Sequence, residues 1–376
     1  MSRVLFAGGG TGGHLYPALA LAAALEEARP GTETYFVGAR RGIEARVLPA
    51  RGVPHTLLPL EPLRRSRVWE NWRLIPATLG SLAGLRRIFR EFRPSLVVGT
   101  GGYASGLVCA YALWRRVPLA IHEQNSYPGL TTRILARWAR QIHLGFPEAA
   151  RHLEPGRHTE VLVTGNAIRP PDPGLDRGAA RRAFGLDPEG VVALVVGGSQ
   201  GARAINEALA GALERVAAGA LPPPPPGFQL LWSTGPAHHA GLVRRLEPLG
   251  LSKWVRLESY IESMPTALAA ADLALSRAGA MATAELLAWG VPAILVPLPT
   301  SAADHQAHNA RALAEAGAAV MVPESELTPE RLWRELTDLA GSEGRRRELA
   351  QRARERARPD AAREMAAKLL ELVGRN

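Results

Sequence analysis

The residues best suited to chemistry form a glycine-rich turn in the middle of the chain, Gly197-Gly-Ser-Gln-Gly-Ala-Arg203. The turn follows an apolar stretch that predicts a strand over residues 191–196, and it precedes a predicted helix over residues 202–215. Glycine lets the backbone approach a ligand closely, and the free N–H groups and dipole of a helix N-terminus favour an anion. We therefore expect residues 199–203, together with Arg169, to bind a diphosphate.

Two more glycine-rich turns lie nearer the N-terminus, at residues 8–13 and 99–106. The first has the spacing G-x-G-x-x-G, which is typical of dinucleotide-binding turns but is weak evidence by itself. The next predicted strand leads into Arg40 and Arg41 instead of the acidic residue that binds the ribose of NAD. The pattern therefore allows NADP but not NAD, and a turn without any ligand is the simpler alternative.

Several side chains near these and later turns have suitable chemistry. His14 is a candidate general base, because the ordinary pKa of histidine lies near neutrality, or it packs against its own turn. Glu285, expected at the start of a helix, could accept hydrogen bonds from ribose or sugar hydroxyls, or complement the helix dipole. Gln306 and Asn309 could bind sugar hydroxyls or be surface amides. The sequence has no His/Cys spacing typical of zinc and no Asp-x-Asp at a strand end, so we expect neither a metal nor a cofactor.

Alternating strands and helices, which both halves of the sequence predict, must position these residues. This alternation is typical of doubly wound parallel sheets, and 376 residues are too many for one ordinary core. Three glycine turns then suggest two α/β halves that face each other across a cleft. Pro17 marks the expected start of a first helix over residues 18–28, and a helix over 107–114 should follow the second turn. The proline-rich residues 170–173 are the expected linker between the domains.

The charge of the chain is strongly positive, with 45 Lys and Arg against 35 Asp and Glu. This excess suits nucleic acid, an anionic membrane or an anionic substrate, but no nucleic-acid-binding motif is present, so we expect no nucleic acid. The chain begins directly in a predicted strand without a signal peptide, and no apolar run is long enough to span a membrane. The single cysteine, Cys109, is typical of a protein in a reducing cytoplasm.

One segment, residues 60–93, mixes large apolar residues and tryptophans with many arginines. This composition is typical of a helix that lies in a lipid headgroup layer. The alternative is an amphipathic helix that packs on its own domain and exposes its arginines, and the pattern alone slightly favours that alternative.

Five motifs together closely resemble the MurG family of cell-wall glycosyltransferases, and they follow the family's order from residue 4 to about residue 322. They are Gly8-Gly-Gly-Thr-Gly-Gly-His14, Gly101-Gly-Tyr-Ala-Ser-Gly106, His122-Glu-Gln-Asn125, Gly197-Gly-Ser-Gln-Gly-Ala-Arg203 and Ser276-Arg-Ala-Gly-Ala280 through Glu285. The resemblance implies a GT-B fold of two Rossmann-like domains. An acceptor domain would span residues 1–168, a UDP-GlcNAc-binding domain residues 169–357, and a last helix at about 358–376 would pack back on the first domain.

The resemblance further implies an inverting, metal-independent reaction. GlcNAc would move from UDP-GlcNAc to the 4-hydroxyl of MurNAc in lipid I, which is undecaprenyl-pyrophosphoryl-MurNAc-pentapeptide. The product would be β-1,4-linked lipid II for peptidoglycan synthesis.

The resemblance also implies roles for single residues. His14 matches the proposed general base, Ile261 would meet uracil through its backbone, Glu285 would bind the ribose hydroxyls, and Gln306 the GlcNAc hydroxyls. His305 stands where some relatives have a second glutamine. The residues that would bind the acceptor diphosphate are Gly13, Gly102 and Tyr103. The matched donor contacts are Thr11, Gly12, Gly13, Asn125, Arg169, Ser199, Gln200, Ile261, Ala280, Met281, Ala282, Thr283, Ala284, Glu285 and Gln306.

An acceptor with a polyprenyl tail requires its enzyme to reach a membrane. The resemblance therefore shifts the expectation for residues 60–93 toward binding the anionic cytoplasmic face of the plasma membrane. It implies a peripheral protein that acts in cell division and cell shape with other cell-wall synthesis proteins. Besides an NADP-binding oxidoreductase, two alternatives share parts of the pattern: a UDP-GlcNAc 2-epimerase of the same architecture, and a UDP-sugar- or membrane-binding module without catalysis.

Overall fold

The computed structural model describes residues 2–61 and 74–374 of the chain. The chain divides into two compact units, each with its own parallel sheet. The first unit contains Met1–Arg169 together with Arg358–Asn376, and the second contains Pro170–Ala357. Two parallel α/β units confirm the predicted fold class.

Within the described residues, the first unit is built on a seven-stranded parallel sheet. Its strands are β1 (Arg3–Gly8), β2 (Glu33–Ala39), β3 (His55–Leu58), β4 (Leu96–Gly101), β5 (Leu119–Glu123), β6 (Gln141–Leu144) and β7 (Glu160–Leu162). The order across the sheet is β3-β2-β1-β4-β5-β6-β7. The chain therefore runs outward from β1 on one side and from β4 on the other, and the direction changes between these two neighbours.

Helices connect these strands, as right-handed parallel crossovers require. They are α1 (Gly12–Ala28), α2 (Glu44–Ala50), α3 (Leu74–Glu91), α4 (Tyr103–Trp114) and α5 (Leu130–Leu135), with a 3₁₀ helix at Pro147–His152. Apolar side chains of β1 and β4 are fully buried between the helices of the two faces.

Two helices begin earlier than the sequence predicts, and this changes the position of candidate residues. The prediction placed the start of α1 at Pro17, because proline favours the first turn. The helix instead begins at Gly12, with the N–H groups of His14 and Leu15 bonded to Thr11 O. Pro17 therefore lies inside the helix and gives up one backbone hydrogen bond. Likewise α4 begins at Tyr103 and not at residue 107, so both glycine turns lead directly into helix N-termini.

The second unit repeats this architecture with a six-stranded parallel sheet in the order β10-β9-β8-β11-β12-β13. The strands are β8 (Val191–Val196), β9 (Phe228–Ser233), β10 (Val255–Glu258), β11 (Leu273–Ser276), β12 (Ala293–Leu295) and β13 (Ala319–Met321). The helices are α6 (Arg177–Ala183), α7 (Arg203–Ala217), α8 (Pro236–Leu246), α9 (Met264–Ala270), α10 (Ala280–Trp289), α11 (His305–Glu315), α12 (Pro329–Gly341) and α13 (Glu343–Arg356). Here the direction of winding changes between β8 and β11.

The last helix, α14 (Ala361–Gly374), belongs to the first unit although it follows the second in sequence. Its Met365 and Leu369 are fully buried in the same apolar cluster as Leu15 and Leu21 of α1. Burial of these side chains attaches the end of the chain to the first sheet.

The proline run at residues 222–226 has a structural role in the second unit. Trp333 of α12 is fully buried, and its indole N–H donates to Pro222 O at 2.9 Å. The aromatic ring of Phe228 packs edge-on against Trp333 with ring centres 6.1 Å apart. The connector is thus attached at its start to the core of this unit.

The segment over residues 60–93 divides into two parts. Residues 62–73, which include Trp69 and Trp72, lie outside the described residues. In α3, Leu85, Ile88 and Phe89 are buried against the first sheet, and arginines on the other face are exposed. This part of the segment follows the alternative of a helix packed on its own domain. Among the described residues, no helix is long and apolar enough to cross a membrane.

Candidate active site

The carboxyl ends of β1 and β4 lie side by side where the winding of the first sheet changes direction, and doubly wound sheets bind ligands at this point. The glycine turns after the two strands touch each other here. Gly101 and Gly102 have φ of +92° and +76°, in the left-handed region that glycine tolerates. A Cβ at Gly102 would overlap the carbonyl oxygen of Gly9. Two of the sequence-predicted turns therefore form one junction.

His14 lies in the first turn of α1, against this junction. Its carbonyl oxygen accepts a hydrogen bond from Thr100 Oγ1 at 2.8 Å. A Cβ at Gly101 would lie 2.8 Å from His14 Nδ1, and one at Gly102 would lie 3.1 Å from Cδ2, so the imidazole packs directly on the turn. Nδ1 is 3.2 Å from Gln124 Oε1. The structure thus fixes both the backbone and the ring of the predicted base.

The other residues predicted for the acceptor surround His14. Gly13 is exposed in the first turn of α1, and Gly102 is the residue before α4. Tyr103 begins α4, and its ring packs on Gly10, where a Cβ would lie 2.8 Å from Cε1. Burial, and then the charges of nearby glutamates, raise the pKa of the Tyr103 phenol, so it is a neutral hydrogen-bond donor at neutral pH. Two helix N-termini and a phenol therefore lie together.

Thr11 immediately precedes α1 and is exposed, and its side chain makes no capping hydrogen bond to the helix. Gly12 follows it, half-buried, as the first helical residue. The predicted donor contacts Thr11, Gly12 and Gly13 are thus consecutive residues at one helix N-terminus.

A buried glutamate that the sequence analysis missed shapes the first glycine turn. Glu44 is fully buried, and its carboxylate accepts hydrogen bonds from Gly10 N at 2.9 and 3.0 Å and from Ala39 N at 2.9 Å. A side chain at Gly9 or Gly42 would overlap this carboxylate. A dinucleotide diphosphate that follows the G-x-G-x-x-G pattern would need the Gly10 N–H, which Glu44 already uses. The turn therefore does not suit NADP.

The loop after β5 is organised by a second buried carboxylate, Glu123. It accepts hydrogen bonds from Asn125 N at 3.1 Å, Asn125 Nδ2 at 3.3 Å, Gly129 N at 3.0 Å and Thr132 Oγ1 at 2.6 Å. Because Asn125 Nδ2 donates to Glu123, the amide oxygen of Asn125 points away from it. This places the predicted donor contact Asn125 at the same edge of the first sheet as His14.

Two other histidines, His122 and His143, are buried in the first sheet, and neither is suited to be the base. Burial lowers the pKa of His122 to about 4 and that of His143 to about 3. Both side chains are therefore neutral and inaccessible at neutral pH. His14 is half-buried, which leaves it as the histidine of this group that a substrate can reach.

In the second unit, the loop after β8 forms a turn that closes with a 2.9 Å hydrogen bond from Gly201 N to Gly198 O. Gly201 and Gly235 both have left-handed φ, and their backbones pack so closely that a Cβ on either would overlap the neighbouring loop. Ser199 and Gln200 are exposed on this turn. The helix after it, α7, begins at Arg203, one residue later than predicted.

A buried polar network that the sequence did not reveal supports this turn. Asn206 of α7 is buried, accepts a hydrogen bond from Trp232 Nε1 at 3.1 Å, and donates from Nδ2 to Thr234 O at 2.8 Å. The network joins the helix that follows one glycine turn to the strand that precedes Gly235. The network is recognised from the burial of its polar residues, and the spacing of residues in the sequence does not show that burial.

The loop after β11 leads into α10, the helix that holds most of the predicted donor contacts: Ala280, Met281, Ala282, Thr283, Ala284 and Glu285. Gly279 precedes the helix. Thr283 is buried, and its hydroxyl donates to Gly279 O at 3.1 Å and Ala280 O at 3.0 Å, within its own helix. A ligand at this N-terminus would therefore meet backbone N–H groups and not the Thr283 side chain.

Glu285 lies in the second turn of α10, and the prediction that placed it at the start of a helix was wrong. The structure makes a charge–dipole role less suitable, because that effect is confined to the first turn. Burial raises the pKa of the Glu285 carboxyl to about 7. The side chain is thus a largely desolvated hydrogen-bonding group, which suits recognition of hydroxyl groups.

The N-terminus of α11 orients Gln306. The Oε1 of Gln306 accepts a hydrogen bond from Leu298 N at 3.0 Å, so its Nε2 is directed elsewhere as a donor. His305 is held by a 2.7 Å contact between Nδ1 and Ala302 O. Asn309 is fully buried, and its Nδ2 donates to Ala278 O at 3.2 Å. Asn309 therefore fixes the loop after β11 and is not a surface amide.

The last two predicted donor contacts differ in their exposure. Arg169 is exposed at the end of the first unit. Ile261 is buried after β10, which is compatible with the predicted contact through its backbone. Among residues 2–61 and 74–374, no three His, Cys, Asp or Glu side chains lie close enough to hold a metal ion.

Two parallel α/β units, each with a glycine turn and a helix N-terminus where its sheet reverses direction, form the GT-B fold. The family model for the glycosyltransferase family 28 N-terminal domain matches residues 4–144. The model for the glycosyltransferase family 28 C-terminal domain matches residues 192–365. A UDP-N-acetylglucosamine–N-acetylmuramyl-(pentapeptide) pyrophosphoryl-undecaprenol N-acetylglucosamine transferase of Moorella thermoacetica is 43% identical over 96% of both chains. The chain therefore belongs to this transferase family, the MurG family.

Solved structures agree with this assignment. The crystal structure of Acinetobacter baumannii MurG matches with a TM-score of 0.77 and 28% identity, over 99% of this chain and all of that one. A putative UDP-N-acetylglucosamine 2-epimerase from Listeria monocytogenes has a TM-score of 0.67, over all of this chain and 97% of that one, but only 14% identity. That likeness shows the fold alone. The epimerase alternative thus shares the architecture, whereas sequence identity groups the chain with the transferases.

Proposed function

We propose that this protein transfers GlcNAc from UDP-GlcNAc to the 4-hydroxyl of MurNAc in lipid I, with inversion, to form lipid II. Membership of the MurG family supports the proposal. The observation that carries it is the placement of His14, because its imidazole packs on the junction of two glycine turns at the N-termini of α1 and α4. This arrangement supports a base beside two helix N-termini that could bind an anionic diphosphate.

The acceptor is assigned to the first unit. Its diphosphate would bind the N–H groups at the N-termini of α1 and α4, near Gly13 and Gly102, with the phenol of Tyr103 as a further donor. The neutral state of this phenol and the left-handed backbone at Gly102 support the assignment.

UDP-GlcNAc is assigned mainly to the second unit. Ser199, Gln200 and the N-terminus of α7 would bind its diphosphate. Ile261 would meet uracil through its backbone, and Glu285 would bind the ribose hydroxyls. Gln306 would donate from Nε2 to a GlcNAc hydroxyl, since its Oε1 already accepts from Leu298. The family-matched contacts that complete the donor set are the N-terminus of α10, Thr11, Gly12, Gly13, Asn125 and Arg169.

The chemical step is a displacement at the anomeric carbon. His14 takes the proton of the acceptor 4-hydroxyl as its oxygen forms a bond to C1 of GlcNAc. The bond between C1 and the diphosphate oxygen breaks on the opposite face, and its electron pair leaves with UDP. Backbone N–H groups, a helix dipole and arginine would stabilise the leaving diphosphate. These groups supply the stabilisation without requiring a metal.

The lipid acceptor also requires contact with the cytoplasmic face of the plasma membrane. Helices α3, α4 and α5 of the first unit, with the residues that follow α4 and α5, support such contact, because they expose large apolar side chains beside arginines. Trp114 is 73% exposed and Trp138 is 57% exposed. Other exposed members of this group are Leu79, Leu130, Ile134, Arg115, Arg116, Arg133, Arg137 and Arg140. Tryptophans and arginines together suit an anionic lipid surface.

Vesicle co-sedimentation tests the membrane contact. Wild-type protein should bind vesicles that contain anionic lipid, and a Trp114→Ala, Trp138→Ala double variant should bind them more weakly. Vesicles of zwitterionic lipid are the control for charge. Equal binding of wild type and double variant would show that Trp114 and Trp138 do not contact the membrane.

Release of UDP from UDP-GlcNAc, measured in EDTA with and without a lipid I analogue, tests the reaction. We expect release that depends on the acceptor and a GlcNAc-MurNAc product. Release that ignores the acceptor would favour the epimerase, and binding without any release would favour a non-catalytic module. His14→Ala should lower the rate at least about a hundred-fold if His14 is the base.

A further inference from the structure

Gln124, which follows β5 and is almost completely buried, makes hydrogen bonds that fix the orientation of its side-chain amide. The amide nitrogen lies 2.9 Å from Thr100 O and 3.0 Å from His122 O. Both partners are backbone carbonyl oxygens, which only accept hydrogen bonds. The atom that faces them must therefore be the nitrogen. Rotating the amide by 180° would place its oxygen against both carbonyl oxygens, where no hydrogen bond can form.

The backbone of Gln124 is held as well. Its carbonyl oxygen accepts a hydrogen bond from Asn166 Nδ2 at 3.0 Å. His122 Nδ1 also lies 3.2 Å from the amide nitrogen, and burial keeps that imidazole neutral. The side chain thus has a single arrangement, defined from two strands of the first sheet.

This arrangement determines which nitrogen of His14 bears a proton. The remaining atom of the Gln124 amide, Oε1, lies 3.2 Å from His14 Nδ1. Because an amide oxygen only accepts, a hydrogen bond at this distance requires Nδ1 of His14 to donate. In the neutral imidazole the lone pair is then on Nε2. Free histidine prefers the opposite tautomer, so the protein imposes this one.

We propose that Gln124 is a positioning residue that holds His14 in the tautomer with a proton on Nδ1, so that Nε2 serves as the base. This inference rests on the proposed function for the role of His14, whereas the tautomer itself does not depend on it. The Gly101–Gly102 turn supports the same role, because its backbone packs on the imidazole and leaves no room for a side chain. Gln124 supplies the orientation, and the turn supplies the surface on which the ring rests.

Gln124 also suits this site because it is neutral. A carboxylate at this position would bring a negative charge within hydrogen-bonding distance of Thr100 O and His122 O, where the amide now donates. It would also lie close to the turns proposed to bind a diphosphate. An amide orients the imidazole without adding a charge that repels the substrate.

The first test is the tautomer in the wild-type protein. Histidine labelled with ¹⁵N and ¹³C reports which ring nitrogen is protonated, and the His14 signal is assigned by its loss in His14→Gln. We expect protonation on Nδ1 at a pH where the ring is neutral. Protonation on Nε2 would overturn the proposal, and this result needs no substrate.

The second test replaces Gln124 with methionine, which has a similar length but no amide. We expect the Nδ1–H signal of His14 to be lost or mixed, kcat to fall about a hundred-fold, and KM for UDP-GlcNAc to change less than about three-fold. A purely structural defect would lower the amount of folded protein without changing the tautomer. An unchanged kcat with a changed tautomer would overturn the catalytic part of the proposal.

The matched control is Gln141→Met in the same sheet. Gln141 is also a buried amide beside a histidine, with Oε1 3.3 Å from His143 Nε2, but it does not contact His14. This variant should leave the His14 tautomer and kcat unchanged. If it lowers kcat as much as Gln124→Met does, the effect is general loss of packing and the proposal fails. If instead His14→Ala keeps full activity while the tautomer is as stated, the proposed base is wrong and the positioning of the ring remains.

Discussion

Replacing Glu285 with glutamine should make the second unit more stable and, at the same time, a weaker ligand-binding unit. Glu285 lies in the second turn of α10, and the cause of its raised pKa is burial. Glutamine has the same shape but no charge to desolvate. The substitution therefore removes the cost of burying a carboxylate without creating a cavity.

The magnitude follows from the pKa of about 7 in the folded protein against an ordinary value of 4.5. Between these pH values the unfolded chain loses its proton and the folded protein keeps it, so the free energy of unfolding falls as pH rises. At about 1.4 kcal/mol per pH unit, the full loss is about 3 kcal/mol above pH 7 and zero below pH 4.5. Glu285→Gln should therefore exceed the wild type by up to about 3 kcal/mol at pH 8 and by little at pH 4.5.

Hydrogen exchange of amides in β11 and β12 measures this free energy within the second unit. Wild type and variant are compared at the same pH, which removes the intrinsic pH dependence of exchange. Glu315→Gln is the matched control, because Glu315 is exposed at the end of α11 in the same unit. It should show no pH-dependent gain. Equal stability of Glu285→Gln and wild type at pH 8 would refute burial as the cause.

The proposed ribose contact adds a second measurement. Ribose hydroxyls that donate to the Glu285 carboxylate would favour its ionised form, so UDP binding near pH 7 should release up to about half a proton. Calorimetry in two buffers with different ionisation enthalpies measures this release. Glu285→Gln should bind UDP more weakly and release no proton from this site. If Glu285→Gln binds UDP as tightly as the wild type and the wild type releases no proton, Glu285 does not contact the ribose.

Three further predictions concern stability. Arg181→Met should lower the free energy of unfolding in urea by about 3–5 kcal/mol, because Arg181 is buried and paired with Asp272 at 2.5 Å. As a control, Arg177→Met removes an exposed partner of the same carboxylate and should lower it by at most about 1 kcal/mol. Gly102→Ala should cost at least about 2 kcal/mol in thermal unfolding and lower kcat, because of the left-handed φ and the overlap with Gly9 O. Burial lowers the pKa of His143 to about 3 in the folded protein, against an ordinary value of 6.5. As the pH falls below 6.5, the unfolded chain therefore binds a proton that the folded protein does not, and the first unit becomes less stable. Between pH 6.5 and pH 5, the free energy of unfolding of His143→Gln should therefore fall by about 2 kcal/mol less than that of the wild type. Hydrogen exchange of amides in β6 measures this difference.

The sequence could predict the sheets and the glycine turns because their signals are local. Apolar stretches between glycine turns indicate parallel strands, and their alternation with helices indicates the winding. The start of α1 was predicted wrongly at Pro17, since the usual place for proline is the first turn. In the structure, hydrogen bonds to Thr11 O and the contact of His14 with the Gly101–Gly102 turn are compatible with a helix that starts earlier. Tertiary contacts of this kind have no local signal.

The buried polar residues were the least predictable part of the site. Glu44, Gln124 and Asn206 are each far in sequence from at least one group that they bind. Their partners are mainly backbone atoms, which have no residue type to recognise. Spacing predicted which turns could bind ligands, whereas only the fold shows which side chains hold those turns in place. The same limit explains why Asn309 could be interpreted as a surface amide.

The buried carboxylate of Glu44 also narrows the proposed position of the acceptor diphosphate. It already accepts the Gly10 N–H, so this N–H is not available to a ligand. The first hydrogen bonds within α1 come from His14 and Leu15, and the N–H groups of Gly12 and Gly13 have no acceptor inside the helix. The N–H groups of Gly12 and Gly13 are therefore suited to an anion. Because they immediately precede His14, a diphosphate bound there would lie within one helical turn of the proposed base.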